Sequence, residues 1–327
     1  MVNPFKNVRA WKADYILDES FKNASKEIEH KVFEGDMVDR AMQKEGVRIK
    51  VAGNMAVAQI NSSIDSFPNI DNLPPIYQGL VDVLIGKTAL KRSLSFMQWT
   101  SKMIEDFKMK YLNKLQFTKN TKFARDVRKE FYGRVASLLR KAEKDTELLY
   151  YAVGLLKRFP DIEDVPTVII TGFPNVGKSS VLHNLTGSKP KIMPYPFTTK
   201  SLMLGFSEYG FKKVQFIDTP GLFDRPAAKR NSIELQGEIA MKLIADIIIY
   251  VFDISEICGY SLERQKNLLR EIRETFRKPV IVLANKTDVV GGRDPSEVGG
   301  IPVSSKTGEG FDKVKDKLTE ILKNVKR

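Results

Sequence analysis

The stretch PTVIITGFPNVGKSSVLHNL, residues 166–185, constrains this chain more than any other. A β-branched run breaks at Gly172, and after Gly177, Lys178 and Ser179 the pattern turns helical. Thr167, Val168, Ile169 and Ile170 have the composition of a buried parallel strand. The glycines fit G-x-x-x-x-G-K-[ST] at the seam between strand and helix. Glycine allows positive φ and lets backbone approach a ligand with no Cβ in the way. Loop amides then face a phosphate chain, and the following helix adds the positive end of its dipole. The stretch predicts a phosphate cradle made by Gly172, Phe173, Pro174, Asn175, Val176, Gly177, Lys178, Ser179 and Ser180. Lys178 would reach the β- and γ-phosphates and Ser179 would ligate Mg²⁺. An ordinary glycine-rich strand-to-helix turn is the alternative.

Such a loop requires a β–α unit, and the rest of the second half supplies more of them. After the linker FPDIEDVP (159–166), strands are expected at 168–170, 214–217, 247–252, 280–283 and 301–303. Helices are expected between them near 180–185, 233–244 and 262–275. This alternation predicts an α/β domain over 161–327, a mostly parallel sheet with helices on both faces. Residues 1–160 read differently. Apolar residues recur at helical spacing, as in Val38, Met42, Val51 and later Leu148, Ala152, Leu155. The segment 66–75, with three prolines, breaks the pattern, as do Gly86 and the region 117–120. From 123 to 159 the amphipathic pattern continues, interrupted only by Gly133 and Gly154. An all-α helical bundle over 1–160 is the expectation.

The most apolar run, 247–252, is strand length and bracketed by Asp246 and Asp253, which argues against a membrane span. The N-terminal residues carry no hydrophobic signal region, and the one cysteine, Cys258, cannot form an internal disulfide. A cytoplasmic, reducing setting is expected, with no membrane partner.

Three further pieces name the nucleotide. In VQFIDTPG, Asp218 ends an apolar strand and would act on Mg²⁺ through one of its waters. Thr219 and Pro220 follow, and Gly221 would offer its amide to the γ-phosphate, making the next loop a switch. In VLANKTD, the Asp288 carboxylate can accept the two adjacent donors of guanine, which adenine lacks. Such a site discriminates by about 10⁴-fold. Asn285 would bond the guanine edge and Lys286 would lie over the ring. In VSSKTGEG, Ser304, Ser305 and Lys306 could present backbone amides to guanine O6.

These four pieces, in this order, resemble the P-loop GTPases over 167–327. PYPFTTKS (194–201) resembles the first switch of the Obg-like members, which implies that Thr199, ahead of Thr198, contacts Mg²⁺ and the γ-phosphate. The resemblance gives Lys178, Thr199, Gly221 and Asn175 the roles in hydrolysis. One departure matters: Leu222 stands where Ras-like enzymes carry a water-orienting glutamine. In several GTPases with that replacement, an asparagine matching Asn175 helps hold K⁺ beside the phosphates. Slow intrinsic turnover, stimulated by K⁺ or a partner, is therefore expected; a bond from Asn175 to the loop backbone is the competing role.

FDISEICGYSLERQ (252–265), RPAAKRNSIELQ (225–236) and FPNIDNLPPIYQGLVDVL (67–84) resemble the nucleolar GTP-binding protein (Nog) family, Obg-related GTPases, in a short archaeal-type form. The resemblance implies a GTP/GDP-bound switch in assembly of the large ribosomal subunit, touching the subunit precursor, its rRNA, and ribosomal proteins or assembly factors. Charge agrees. The chain carries a net +13. Residues 87–158 hold 18 Lys and Arg against 7 Asp and Glu. Lys110, Lys114, Lys119, Lys122, Arg125, Arg128 and Lys129 are candidate phosphate contacts, although a solvated face explains each singly. A monomer is expected when the protein is free. Two rivals remain: a switch acting on a protein partner, and a GTP-binding module with negligible turnover.

Overall fold

A computed structural model describes residues 3–159, 161–187, 190–193, 201–219, 232–289 and 293–325. The chain divides into two units. One takes in Pro4–Leu73 and Ile85–Lys157; the other takes in Met1–Asn3, Pro74–Leu84 and Arg158–Arg327.

The first unit is helical: α1 (Ala13–Glu27), α2 (Met37–Ser66), α4 (Lys87–Leu115), α5 (Thr121–Lys141) and α6 (Glu143–Leu156). On α4, Leu90, Met97, Ile104 and Tyr111 are buried at seven-residue intervals, one stripe of a long helix. α2 meets it with small residues; a Cβ on Gly53 would come 2.9 Å from Lys108 Cδ. Phe131, Val135 and Leu139 of α5 complete the core. Helix ends are chemically marked. Asp36 caps α2 in a capping box with Asp39, and Asn120 caps α5 through the Phe123 amide at 2.8 Å. The amphipathic run expected to continue through 159 is interrupted at Ala142, fully buried with φ −85° and ψ 3°, where no glycine or proline stands. Nearby, Asp145 of α6 accepts from Ser93 Oγ of α4 at 2.7 Å, a contact no local pattern announces.

The second unit is a seven-stranded sheet: β1 (Thr167–Thr171), β2 (Lys191–Met193), β3 (Leu202–Tyr209), β4 (Lys212–Asp218), β5 (Ile247–Asp253), β6 (Val280–Asn285) and β7 (Ile301–Pro302). Their order is β2-β3-β4-β1-β5-β6-β7. The pairs β1–β4, β1–β5, β5–β6 and β6–β7 are parallel; β2–β3 and β3–β4 are antiparallel. Every residue of β1 and β5 is buried, as a parallel sheet interior requires. Helices α7 (Lys178–Thr186), α8 (Ser232–Ile244), α9 (Leu262–Phe276) and α10 (Phe311–Leu322) accompany it. The fold is the expected one, helices followed by a mostly parallel sheet, with β2 and β3 added on one side. Helix α3 (Pro75–Leu84) belongs to this unit and packs on α8. Gly79 lets α3 approach, since a Cβ there would lie 3.2 Å from Leu243 Cδ1. The Tyr77 hydroxyl donates to Ile162 O at 3.2 Å. Among the described residues, no helix is long and apolar enough to cross a membrane.

Candidate functional site

The site lies at the carboxyl ends of β1, β4, β5 and β6, as doubly wound sheets dictate. β1 and β4 pair in register Ile170↔Asp218, so the loop after β1 opens beside the Asp218 carboxylate. That loop runs through Gly172 at φ 144°, Asn175 at φ 62° and Gly177 at φ 100° before α7 begins. Two glycines are indispensable for space as well as dihedral. A Cβ on Gly172 would sit 2.6 Å from Val251 O, and one on Gly177 would sit 2.4 Å from Asn285 Nδ2. Lys178 is buried and folds back into the loop, donating to Gly172 O at 2.9 Å and Phe173 O at 2.8 Å. Ser179 Oγ donates to Asp218 Oδ2 at 2.7 Å. A hydroxyl and a carboxylate at that separation form an all-oxygen donor pair of the kind Mg²⁺ takes. Thr219 Oγ1 donates to Ile170 O at 3.2 Å, tying the end of β4 to β1.

The second cluster follows β6 and β7. Asn285 is fully buried with both ends of its amide engaged. Nδ2 donates to Val176 O at 2.8 Å and Ser305 Oγ at 3.0 Å, and Oδ1 accepts from the Ser305 amide at 2.9 Å. It thereby joins the phosphate loop to the loop after β7. Asn184 of α7 adds a bond to Ser305 O at 2.9 Å. Asp288 is exposed, with one oxygen held by Ser304 Oγ at 2.7 Å. That hydroxyl keeps the Asp288 carboxyl below the usual carboxylate range. Lys306 is exposed on the same loop.

The structure thus brings together 172–180, Asp218, Thr219, Asn285, Lys286, Asp288 and 304–306 around one sheet edge. Thr198, Thr199, Pro220, Gly221 and Leu222 lie outside the described residues. Asn175 is exposed, and its side chain makes no hydrogen bond among the described residues; its left-handed backbone is one that asparagine tolerates well.

Sequence reasoning assigned no role to Asp253, Tyr260 or Gln265. Asp253 ends β5 with no exposed surface, and its Oδ2 accepts Lys286 Nζ and the Cys258 amide, each at 2.7 Å. Burial works to raise its pKa, but the bonds from Lys286, Ser255 and Cys258 outweigh burial and leave it below the ordinary value. Tyr260 stacks on Phe173 of the phosphate loop, ring centroids 4.2 Å apart. The signal was present in FDISEICGYSLERQ, which holds all three residues, but a motif does not state its partners.

Two family models match: the NOG1 N-terminal helical domain over residues 9–163 and the 50S ribosome-binding GTPase over residues 167–286. An uncharacterised protein of Methanocaldococcus jannaschii is 38% identical over 243 residues, covering 74% of this chain and 68% of that protein. Nucleolar GTP-binding protein 1 of Saccharomyces cerevisiae is 33% identical over 252 residues, covering 76% of this chain and 39% of that protein. The probable Dictyostelium discoideum counterpart is 31% identical over 330 residues, covering 94% and 48%. The chain therefore spans less than half the length of these eukaryotic relatives. The crystal structure of a Plasmodium falciparum nucleolar GTP-binding protein 1 is similar to 51% of this chain, over 91% of its own, at 31% identity and a TM-score of 0.45. By its paired helical and GTPase segments and its likeness to these relatives, this chain belongs to the nucleolar GTP-binding protein 1 family of GTPases.

Proposed function

We propose that the protein binds GTP with Mg²⁺, hydrolyses it to GDP and phosphate, and acts as a switch in assembly of the large ribosomal subunit, touching rRNA through its basic helical unit. One observation carries the nucleotide part: the phosphate loop, the Ser179–Asp218 pair and the Ser304-oriented Asp288 converge on one sheet edge. Lys178 and the loop amides would hold the phosphates, Ser179 and Asp218 the metal, and Asp288 the guanine edge. Asn285 acts mainly as the tie between the two loops. When bound, Mg²⁺ would supply positive charge against the phosphates. Thr199 and Gly221 would complete the γ-phosphate contacts, and Asn175, which is exposed, would help hold K⁺.

For rRNA, Lys110, Lys119, Lys122, Arg125 and Lys129 are exposed, which supports phosphate contacts from these five. Lys114 pairs at the surface with Glu130 at 2.7 Å, and Arg128 pairs with the buried Glu45 at 2.6 Å, so Arg128 serves the fold first. A cytoplasmic monomer that joins the subunit precursor in its GTP form is the state we infer.

Calorimetry with Mg²⁺ present should show GDP and GTP binding, and Asp288→Asn should trade guanine for xanthine preference. Sedimenting extract with a nonhydrolysable GTP analogue should move the protein onto a large-subunit precursor. Recovery in a ribosome-free complex with one stoichiometric protein would favour the protein-partner reading instead.

A further inference from the structure

Lys286 has an unusual backbone and an unusual partner. It sits just past β6 at φ 70°, in a region that non-glycine residues avoid. Its ammonium does not run to solvent; it crosses to the end of β5 and meets the Asp253 carboxylate at 2.7 Å, with 21% and 0% of the two side chains exposed. The strands place the two together, since β5 and β6 pair in register Asp253↔Asn285.

The carboxylate is itself immobilised. Oδ1 accepts the Ser255 amide at 2.9 Å and the Ser255 hydroxyl; Oδ2 accepts the Cys258 amide as well as Lys286. The Asp253 backbone is clamped by the buried Gln265 side chain. The Asp253 amide donates to Gln265 Oε1 at 2.9 Å, and Gln265 Nε2 donates to Asp253 O at 3.1 Å and Tyr260 O at 2.9 Å. Tyr250 of β5 holds the Gln265 carbonyl at 2.7 Å. Tyr260, at the end of this chain of bonds, stacks on Phe173. One segment, 253–265, therefore braces both the lysine of the base loop and the aromatic residue of the phosphate loop.

We propose that Asp253 is a positioning residue for guanine recognition: by anchoring the Lys286 ammonium beneath the base loop, it lays the lysine methylenes flat as a preformed platform for the purine ring. This rests on the guanine-site reading above. A lysine stem has many rotamers and would otherwise have to be ordered when the base arrives; a fixed counter-charge orders it beforehand. A buried ion pair serving only stability is the competing explanation, and it predicts no link to nucleotide affinity.

The test is a double-mutant cycle on GDP affinity in the full chain, using Asp253→Asn, Lys286→Met and the pair. Asp253→Asn should weaken GDP about tenfold, the size expected for losing one charged hydrogen bond. The loss should fall on KM for GTP rather than on kcat. The double variant should bind GDP no more weakly than Lys286→Met alone, because the aspartate acts through the lysine. A second measurement needs no substitution: in the nucleotide-free protein, an amine-acylating ester should label Lys286 far more slowly than the exposed Lys110. Unchanged GDP affinity in Asp253→Asn, fully additive losses in the pair, or labelling of Lys286 as fast as Lys110 would each overturn the proposal while leaving the guanine site standing. Absence of GDP binding by the unsubstituted protein would overturn the site reading, and the platform with it.

Discussion

At the residue scale, contacts between loops decide what each side chain can do. Gly177 illustrates this. Its φ of 100° is one that other residues rarely adopt, and the space a methyl would fill holds Asn285 Nδ2 at 2.4 Å. Gly177→Ala would incur about 1 kcal/mol of backbone strain. It would also push away the amide that ties the two nucleotide loops. We expect GDP affinity to fall by about 100-fold or more, read by calorimetry, since backbone strain and a lost buried tie combine. Asp253 gives a pH signature. Its native pKa lies below the ordinary value, so its contribution is present above about pH 4 and is lost as pH falls through the native pKa. The acid limb of a urea-midpoint profile should be shallower in Lys286→Met than in the parent, because the lysine is a principal cause of the lowering. The glycines and lysine of the phosphate loop were legible in the sequence because their spacing along the chain is itself the motif. The Asp253–Lys286 pair was not, because 33 residues separate its members and only the pairing of β5 with β6 joins them.

At the scale of elements, β1, β4, β5, β6 and β7 were readable along the chain, and β2 and β3 were not. β1, β5 and β6 are apolar runs of strand length. β3 buries an irregular set of residues and β2 has three residues, so neither has a clear period. Helix α3 was visible as a helix, but its membership in the sheet unit depends on α8, more than 140 residues away in sequence. Tyr77 makes that membership testable. Burial raises its hydroxyl to about 12, despite the bond it donates to Ile162 O. An unfolded tyrosine titrates near about 10, so this contribution is whole below that pH and is lost as pH rises toward the native value. Tyr77→Phe should cost about 1–2 kcal/mol at neutral pH, seen in urea unfolding, because the buried carbonyl loses this donor. Above pH 10 the variant should lose less additional stability than the parent.

At the scale of the whole molecule, charge separates cations free to meet a polyanion from cations that hold the fold. Replacing exposed Lys122 or Lys129 with alanine should leave the thermal midpoint unchanged. Each should lower the slope of log K against log salt for large-subunit rRNA by about 1. Arg128 should behave oppositely. It pairs with the buried Glu45 and lies over the Tyr132 ring at 5.1 Å. Arg128→Ala should cost about 1–3 kcal/mol of stability, moderated by Arg48, which also holds Glu45 at 2.8 Å.

By itself the chain's residue order determined the strand-to-helix phosphate loop, the βα alternation behind it, the place of Asp288 just past β6 and the helical, basic character of the first half. Each of these is set by dihedral preference, hydrophobic period or local spacing, which act over a few residues. Only the tertiary structure decided that α3 sits with the sheet unit, that the long amphipathic run breaks at Ala142, that Asn285 ties two loops and that Asp253 anchors Lys286. Those outcomes depend on which distant surfaces meet, and a buried carboxylate finds its ammonium by the geometry of the sheet rather than by position along the chain.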